Sequence, residues 1–488
     1  MPKTAPASAS PAICLFHDEL RLADNRALAA AIAHGGPVLA LYVHDEESPG
    51  VRPLGGASRW WLHHALAALA TSLEKRGASL TIARGPAVDV VPAVAKACGA
   101  GLVTWSHRYH QPERAIDERI KAALERSGIA TESFCDRLLA EPWTLRTQSG
   151  TPFRVYSPFY RALSALGNPP PPLPAPKAIV GLANAPLPKA LVVQLPDLKL
   201  LPRIAWDGGL AENWTPGEAG AQARFKAFCA EGLKGYAEGR DRPDLANVSR
   251  LSPHLRFGEI SPRQIWHRVQ GEQAPATPKD RAKLLSEIAW REFAYHLLFH
   301  NPDLATRNFA ARFDGFPWTD APHALTAWQK GRTGIPIVDA GMRELWHTGY
   351  LHNRVRMIVA SFLVKHLLID WRRGEAWFWD TLCDADFANN PASWQWVAGS
   401  GADAAPYFRV FNPVLQALKF DPDGRYVRRW VPEIARLPVP HLFKPWEAPA
   451  GVLQAAGVAL GTTYPRPVVG LEAGRERALA AFARLPKA

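Results

Sequence analysis

The 488-residue chain is poor in sulfur, with five cysteines and three methionines. The cysteines (Cys14, Cys98, Cys135, Cys229, Cys383) are odd in number, scattered and nowhere spaced CxxC. That excludes a disulfide framework or a thiolate zinc site and points to a reducing compartment. No apolar run reaches the ~18 residues of a membrane span. The most apolar stretch, Met357 to Ile369, is broken by Lys365 and His366. Residues 1–11 lack the apolar core of an export signal, so a cytoplasmic protein is expected. A GxGxxG turn is also missing, which removes the usual nicotinamide fingerprint.

What the chain does have is positive charge and tryptophan. Lys and Arg number 57 against 45 Asp and Glu, a net charge of +12, and there are 18 Trp. A basic surface suits a polyanion such as DNA, because Arg and Lys displace its condensed counterions. The length favours two domains over one.

In residues 1–140 short β-like runs (Ala12–Phe16, Val38–His44, Ser79–Ala83, Leu102–Trp105) alternate with helical patterns. Asp24 or Asn25 can cap the first helix. A second runs from about Ser58 to Arg76 and stops at Gly77. This alternation predicts a doubly wound, Rossmann-like α/β domain with a parallel sheet. Residues 141–215 read as a linker, proline-rich from Asn168 to Pro202, where long helices cannot form. Residues 216–488 read as an all-α domain. Its helical patterns fall at Glu218–Cys229, Ser261–Gln270, Asp280–His300, Ala321–Gln329, Asp339–Thr348, Asn353–Trp371, Glu375–Leu382 and about Leu471–Leu485. A helical domain of that size can enclose a cofactor.

Three clusters place polar and aromatic residues where a helix core would want Leu. Val248, Ser249, Arg250, Leu251, Ser252 and Pro253 follow Tyr236 and the Arg240-Asp241 pair; hydroxyls and amides opening a helix suit a phosphate, although an ordinary N-cap would look the same. Glu287, Trp290 and Arg291 share a helix face, so a carboxylate, a flat ring and a guanidinium can address a base together. The third cluster holds His352, Asn353, Arg354, Arg356 and Met357, then Asp384, Asp386, Asn389, Asn390, Trp394 and Trp396. Read as helix-interior groups, these Asn and Asp are costly unless a multi-ring polar ligand pairs with them.

With these residues in view the chain resembles the photolyase/cryptochrome family, and within it a class I cyclobutane pyrimidine dimer photolyase. The likeness runs from about Ile13, with LFHDELRL at residues 15–22, to about Pro467, and is densest from Tyr236 to Trp430, where SRLSP, WREF, GIPIVDAGMREL, HNRVRM, SFLVK, LIDWR, WQW, DAAPYFRVFNP and WVPE follow in order. The resemblance implies FAD held by Tyr236, Ser249, Leu251, Ser252, Arg291, Asn353, Arg356, Asp384, Asp386 and Asn390. Asn390 matches the position facing flavin N5, and Arg356 pairs with Asp384. It implies a dimer pocket of Arg240, Glu287, Trp290, Asn353, Arg354, Met357 and Trp396, with Glu287 and Asn390 in catalytic roles. Trp394, Trp371 and Trp318 match an electron-transfer chain from flavin to surface. The reaction so implied is light-driven repair of pyrimidine dimers in DNA by an electron from excited reduced FAD, in a monomer with no metal.

For the first domain the resemblance implies an antenna chromophore, methenyltetrahydrofolate or a deazaflavin, with a second flavin or no antenna as the open alternatives. Glu113 matches a folate-contacting position, while Pro112 departs from the usual Asn; in the FAD phosphate site, Val248 stands where many relatives have Thr. The alternative is a cryptochrome-type blue-light receptor without repair; Asn390, where plant receptors carry Asp, favours repair.

Overall fold

The computed structural model describes residues 9–271, 276–404 and 408–486. Ala405, Pro406 and Tyr407 of the DAAPYFRVFNP motif therefore lie outside the described residues.

The sheet is built from β1 (Ala12–Phe16), β2 (Val38–His44), β3 (Leu80–Arg84), β4 (Leu102–Ser106) and β5 (Ala130–Phe134). All pairings are parallel and the order is β3-β2-β1-β4-β5. Helices α1 (Arg26–Ala33), α2 (Gly56–Glu74), α3 (Ala87–Cys98) and α4 (Gln111–Arg126) make the crossovers. Alternation along β1 divides the core: Ala12, Cys14 and Phe16 pack with α1 and α2, while Ile13 and Leu15 pack with α3 and α4. Asn25 caps α1, its Oδ1 accepting from the Leu28 amide at 2.8 Å. Gly77, at φ +91, ends the turn after α2 where a side chain would be strained.

Beyond β5 comes α5 (Tyr156–Ala165), then the proline-rich stretch. The latter lies along the sheet, with isolated bridges Val38–Gly181 and Ala83–Val192. Helices follow: α6 (Gly208–Asn213), α7 (Glu218–Ala227), α8 (Tyr236–Gly239), α9 (Ser252–Arg256), α10 (Pro262–Gln270), α11 (Pro278–His300), α12 (Pro322–Gln329), α13 (Pro336–Thr348), α14 (Asn353–Ser361), α15 (Trp371–Thr381), α16 (Asn389–Ala398), α17 (Pro413–Phe420), α18 (Arg425–Trp430), α19 (Ala450–Ala456) and α20 (Leu471–Ala483). Capping boxes start α10 at Ser261 and α11 at Thr277, each followed by Pro at the first helical position. No helix among the described residues is long and apolar enough to cross a membrane.

One sequence expectation fails here. The helix read from Asn353 to Trp371 ends at Ser361, passes through a wide π-type turn (Phe362–His366) and stops at Leu368, whose φ is +54°. Trp371 instead opens α15. Tertiary contacts override the local pattern: buried Lys365 donates through Nζ to the Arg409 carbonyl, and the Leu368 carbonyl accepts from Thr319.

The sheet unit and the helical unit share a core. Trp61 of α2 is fully buried between Trp214, His254 and Phe257, and its Nε1 donates to Glu259 at 3.0 Å. Arg263 of α10 reaches Asp24 and Asp136 of the sheet unit at 3.0 and 3.1 Å.

Candidate functional site

A cavity of about 560 Å³ opens among α8, α9, α11, α14, α15 and α16. That is within the range of cofactor pockets. Every residue expected to hold FAD or the dimer lines it, and so do Glu287, Asn390 and Trp394. Trp318 and Trp371 do not.

At one end are Tyr236, Ser249, Leu251 and Ser252. Arg250, at φ +52, turns the chain into α9 and lays its guanidinium against Trp214 and Tyr350. Ser249 Oγ accepts from the Leu251 amide at 3.4 Å, and no side chain caps α9. At the middle, Arg356 forms two bonds to Asp384, at 3.1 and 2.7 Å, as the motif match implied. Burial opposes the Arg356 charge, but the Asp384 carboxylate outweighs it and raises the Arg356 pKa.

The polar cluster is not helix-interior, contrary to the sequence reading. Asp384 and Asp386 sit in the loop between α15 and α16, Asn389 and Asn390 open α16, and Asn353 is the exposed first residue of α14. The loop explains the letters: Asp386 accepts from the amides of Ala388 and Asn389, which starts α16. Asn390 uses its Nδ2 on Glu375, reaching Oε1 at 2.8 Å and the carbonyl at 3.1 Å. Glu375 and Arg256, which also lines the cavity, were missed in the sequence. The spacing Trp371, Glu375, Phe378 puts that carboxylate on the buried face of α15, a signal that was legible.

At the mouth, Glu287 is held by Arg240 at 2.9 Å and Lys283 at 2.8 Å. Arg354 pairs with Asp241 at 2.8 Å and lies over Phe420. Buried His352 is pushed down to about 4 by burial, so it is neutral and accepts the Arg354 amide. Trp290 stacks on Tyr156 of α5, centroids 3.7 Å and planes 7° apart. Tyr156 is itself fixed by bonds to Ser286. Trp396 donates to the Asp403 carbonyl, and Met357 lies half-buried nearby on the lining. Arg291 turns toward the sheet unit, donating to the Arg137 carbonyl at 2.8 Å.

The cavity suits a large acceptor-rich ligand. Trp394 Nε1 and the Nε atoms of Arg240, Arg250 and Arg354 are buried without a hydrogen-bond partner among the described residues. Trp394 is seated by Gly374, where an added Cβ would fall 2.2 Å from its ring. Trp371, bonded to Asn308, belongs with Trp394 to one apolar cluster, and half-buried Trp318 packs against it. A flavin fits this donor set, and Tyr236, Ser249, Ser252, Arg356, Asp384 and Asn390 are the residues that would hold it.

A helical cavity large enough for a multi-ring cofactor, opening through an aromatic and basic mouth, is the arrangement that a cofactor-dependent enzyme acting on nucleic acid needs. Residues 12–177 match the family model of DNA photolyase, and residues 284–484 that of the FAD binding domain of DNA photolyase. The chain belongs to the photolyase/cryptochrome family. It is 51% identical over 98% of both chains to a deoxyribodipyrimidine photo-lyase of Agrobacterium fabrum. It is 39% identical to cryptochrome-1 of Arabidopsis thaliana, over 95% of this chain and 69% of that one. Among solved structures, a class III photolyase from Agrobacterium tumefaciens superimposes with a TM-score of 0.94 at 50% identity, covering 99% of each chain. The class I assignment is therefore not supported. SRLSP, WREF, HNRVRM and WQW supply cavity-lining residues, which report the shared site rather than the subclass.

Proposed function

We propose that the protein repairs cyclobutane pyrimidine dimers in DNA under light, as a class III enzyme, monomeric and cytoplasmic. The observation that carries this reading is the continuity of one cavity from the Ser249–Ser252 end to the Trp290–Trp396 mouth. Cofactor and lesion can thus lie in contact. Bound reduced FAD supplies the light-driven electron that opens the cyclobutane ring. Photolyases belong to the enzymes that flip the target nucleotide out of the duplex. Trp290 and Trp396 wall the flipped dimer, Asn353, Arg354 and Met357 shape the entry, and Arg240 faces phosphate. Glu287 exchanges part of its ion pairing for a hydrogen bond to the dimer. Asn390, where plant receptors carry Asp, favours repair over signalling.

The purified protein is expected to carry one FAD per chain and to prefer ultraviolet-irradiated DNA in the dark. That affinity should fall linearly on log–log axes with salt, since phosphate contacts dominate. A flavin-free protein after gentle purification, or equal binding to damaged and undamaged duplex, refutes the proposal.

Trp394, Trp371 and Trp318 serve as the electron path to the surface. Trp394→Phe should slow photoreduction of oxidised flavin while chemically reduced enzyme repairs as before. Photoreduction at the parent rate, followed by absorbance under blue light, would place the path elsewhere.

The sheet unit, residues 1–140, suits a second chromophore, a folate or a deazaflavin. In such sheets ligands bind beyond the carboxyl ends of the strands where the order reverses, here between β1 and β4. There His17 faces Asp117 at 3.6 Å and Arg137 pairs with Asp18 at 2.9 Å. Glu113, raised by burial, lies beside Arg108 and His110, and His110 stacks on Phe387 at 3.9 Å.

A further inference from the structure

Asn390 presents an amide to the cavity, and an amide has two unlike ends. Its Nδ2 is engaged twice by Glu375, at Oε1 and at the backbone carbonyl. The carboxylate can only accept, so the orientation is fixed by chemistry. Oδ1, which has no partner within the protein among the described residues, is the end left for the cavity's occupant.

What holds Glu375 comes from the other unit. Arg52, in the segment between β2 and α2, grips the carboxylate through two parallel bonds, Nη1 to Oε1 at 2.8 Å and Nη2 to Oε2 at 3.0 Å. The guanidinium lies 4.0 Å over the Trp379 ring, and Trp379 Nε1 donates to the Pro53 carbonyl at 2.9 Å. Gly56 donates to Asp380 at 2.9 Å, and Gly55 approaches so closely that an added Cβ would sit 2.1 Å from the Trp379 carbonyl oxygen. The segment 52–56 is thus clamped along α15, and its one cation meets the one carboxylate that orients Asn390.

We infer that Arg52 is a positioning residue for the flavin: through Glu375 it holds Asn390 with Oδ1 toward the cavity. This rests on the reading of the cavity as the FAD site. A flavin ring gains N–H donors on reduction, whereas the oxidised ring offers acceptors. A fixed oxygen acceptor therefore favours the reduced form and raises the potential. Without Arg52, Glu375 is a buried carboxylate with no cation; it protonates or swings away, the amide is free to turn, and its NH2 end favours the oxidised ring. Both changes lower the potential.

The test uses full-length, flavin-loaded protein. Arg52→Met keeps the aliphatic stem on Trp379 and removes the charge; Arg52→Lys keeps charge without the fork. The midpoint potential of bound flavin is read by spectroelectrochemistry, in the parent background and with Asn390→Ala. Arg52→Met should keep the flavin content and lower the potential by about 30 mV, a tenfold change for a two-electron couple. Arg52→Lys should recover most of it, and Arg52→Met should change nothing further beside Asn390→Ala. An unchanged potential overturns the inference, as does an equal shift in both backgrounds, which is what a merely structural role gives. If Arg52→Met yields no folded protein, Arg52→Gln is read by the same criteria. A parent that takes up no flavin refutes the proposed function instead.

Discussion

Asp384→Asn should cut flavin affinity about thirty- to a hundred-and-fiftyfold. The substitution keeps the shape of the loop and deletes the charge that answers Arg356. The Arg356 side chain, on the cavity lining, is 26% exposed. A bound ring system would cover it and leave a buried cation without its partner, so the cost falls on binding. Breaking a buried pair costs about 3–5 kcal/mol, and partial exposure brings this to about 2–3 kcal/mol. At about 1.4 kcal/mol per decade, that is the range stated. Titration of flavin-free protein with FAD measures it. A dissociation constant within twofold of the parent's would mean that Arg356 is turned away from the ligand.

Trp290→Ala should weaken dark binding of a dimer-containing oligonucleotide tenfold to a hundredfold, leaving undamaged DNA almost unaffected. Base–aromatic stacking contributes about 1–3 kcal/mol per base, and the indole presents one face to the cavity while Tyr156 covers the other. That backing yields a companion expectation. Tyr156→Ala leaves the wall in place but unsupported, and loss of an aromatic pair worth about 0.5–1.5 kcal/mol should cost about two- to tenfold. Equal losses for damaged and undamaged DNA would show that these residues contact phosphate rather than the lesion. No loss in either variant would remove Trp290 from the pocket.

The strands β1 and β2 were legible to the residue, because buried parallel strands are continuous apolar runs. The edge strand β5, Ala-Thr-Glu-Ser-Phe, is mostly exposed and carries no such signature. The helix boundary at Ser361 was hidden for the opposite reason. Met357 to Ile369 is apolar except at Ser361, Lys365 and His366, with no Gly or Pro to mark the turn. Lys365 and His366 are not a polar face: both are buried, and Lys365 drops to about 7 through burial and the neighbouring Arg409. In the site, the cavity-lining letters were readable because motif and chemistry agree. The spacing of Glu375 with Trp371 and Phe378 marks its burial, but nothing in the stretch WRRGEAWFW marks its partner, since Arg52 lies 323 residues away. Long-range pairing of that kind leaves no local trace.

The burial of Trp61 against Trp214, His254 and Phe257 bears on how the protein could be taken apart. Phe257, Tyr350 and Cys383 of the helical half complete the same apolar cluster as Phe16 and Leu66 of the sheet half. A fragment of residues 216–488 would keep the cavity-lining residues yet bare that surface to water. The flavin pocket is therefore not a portable module: recombination or engineering that moves it must carry the first 140 residues along.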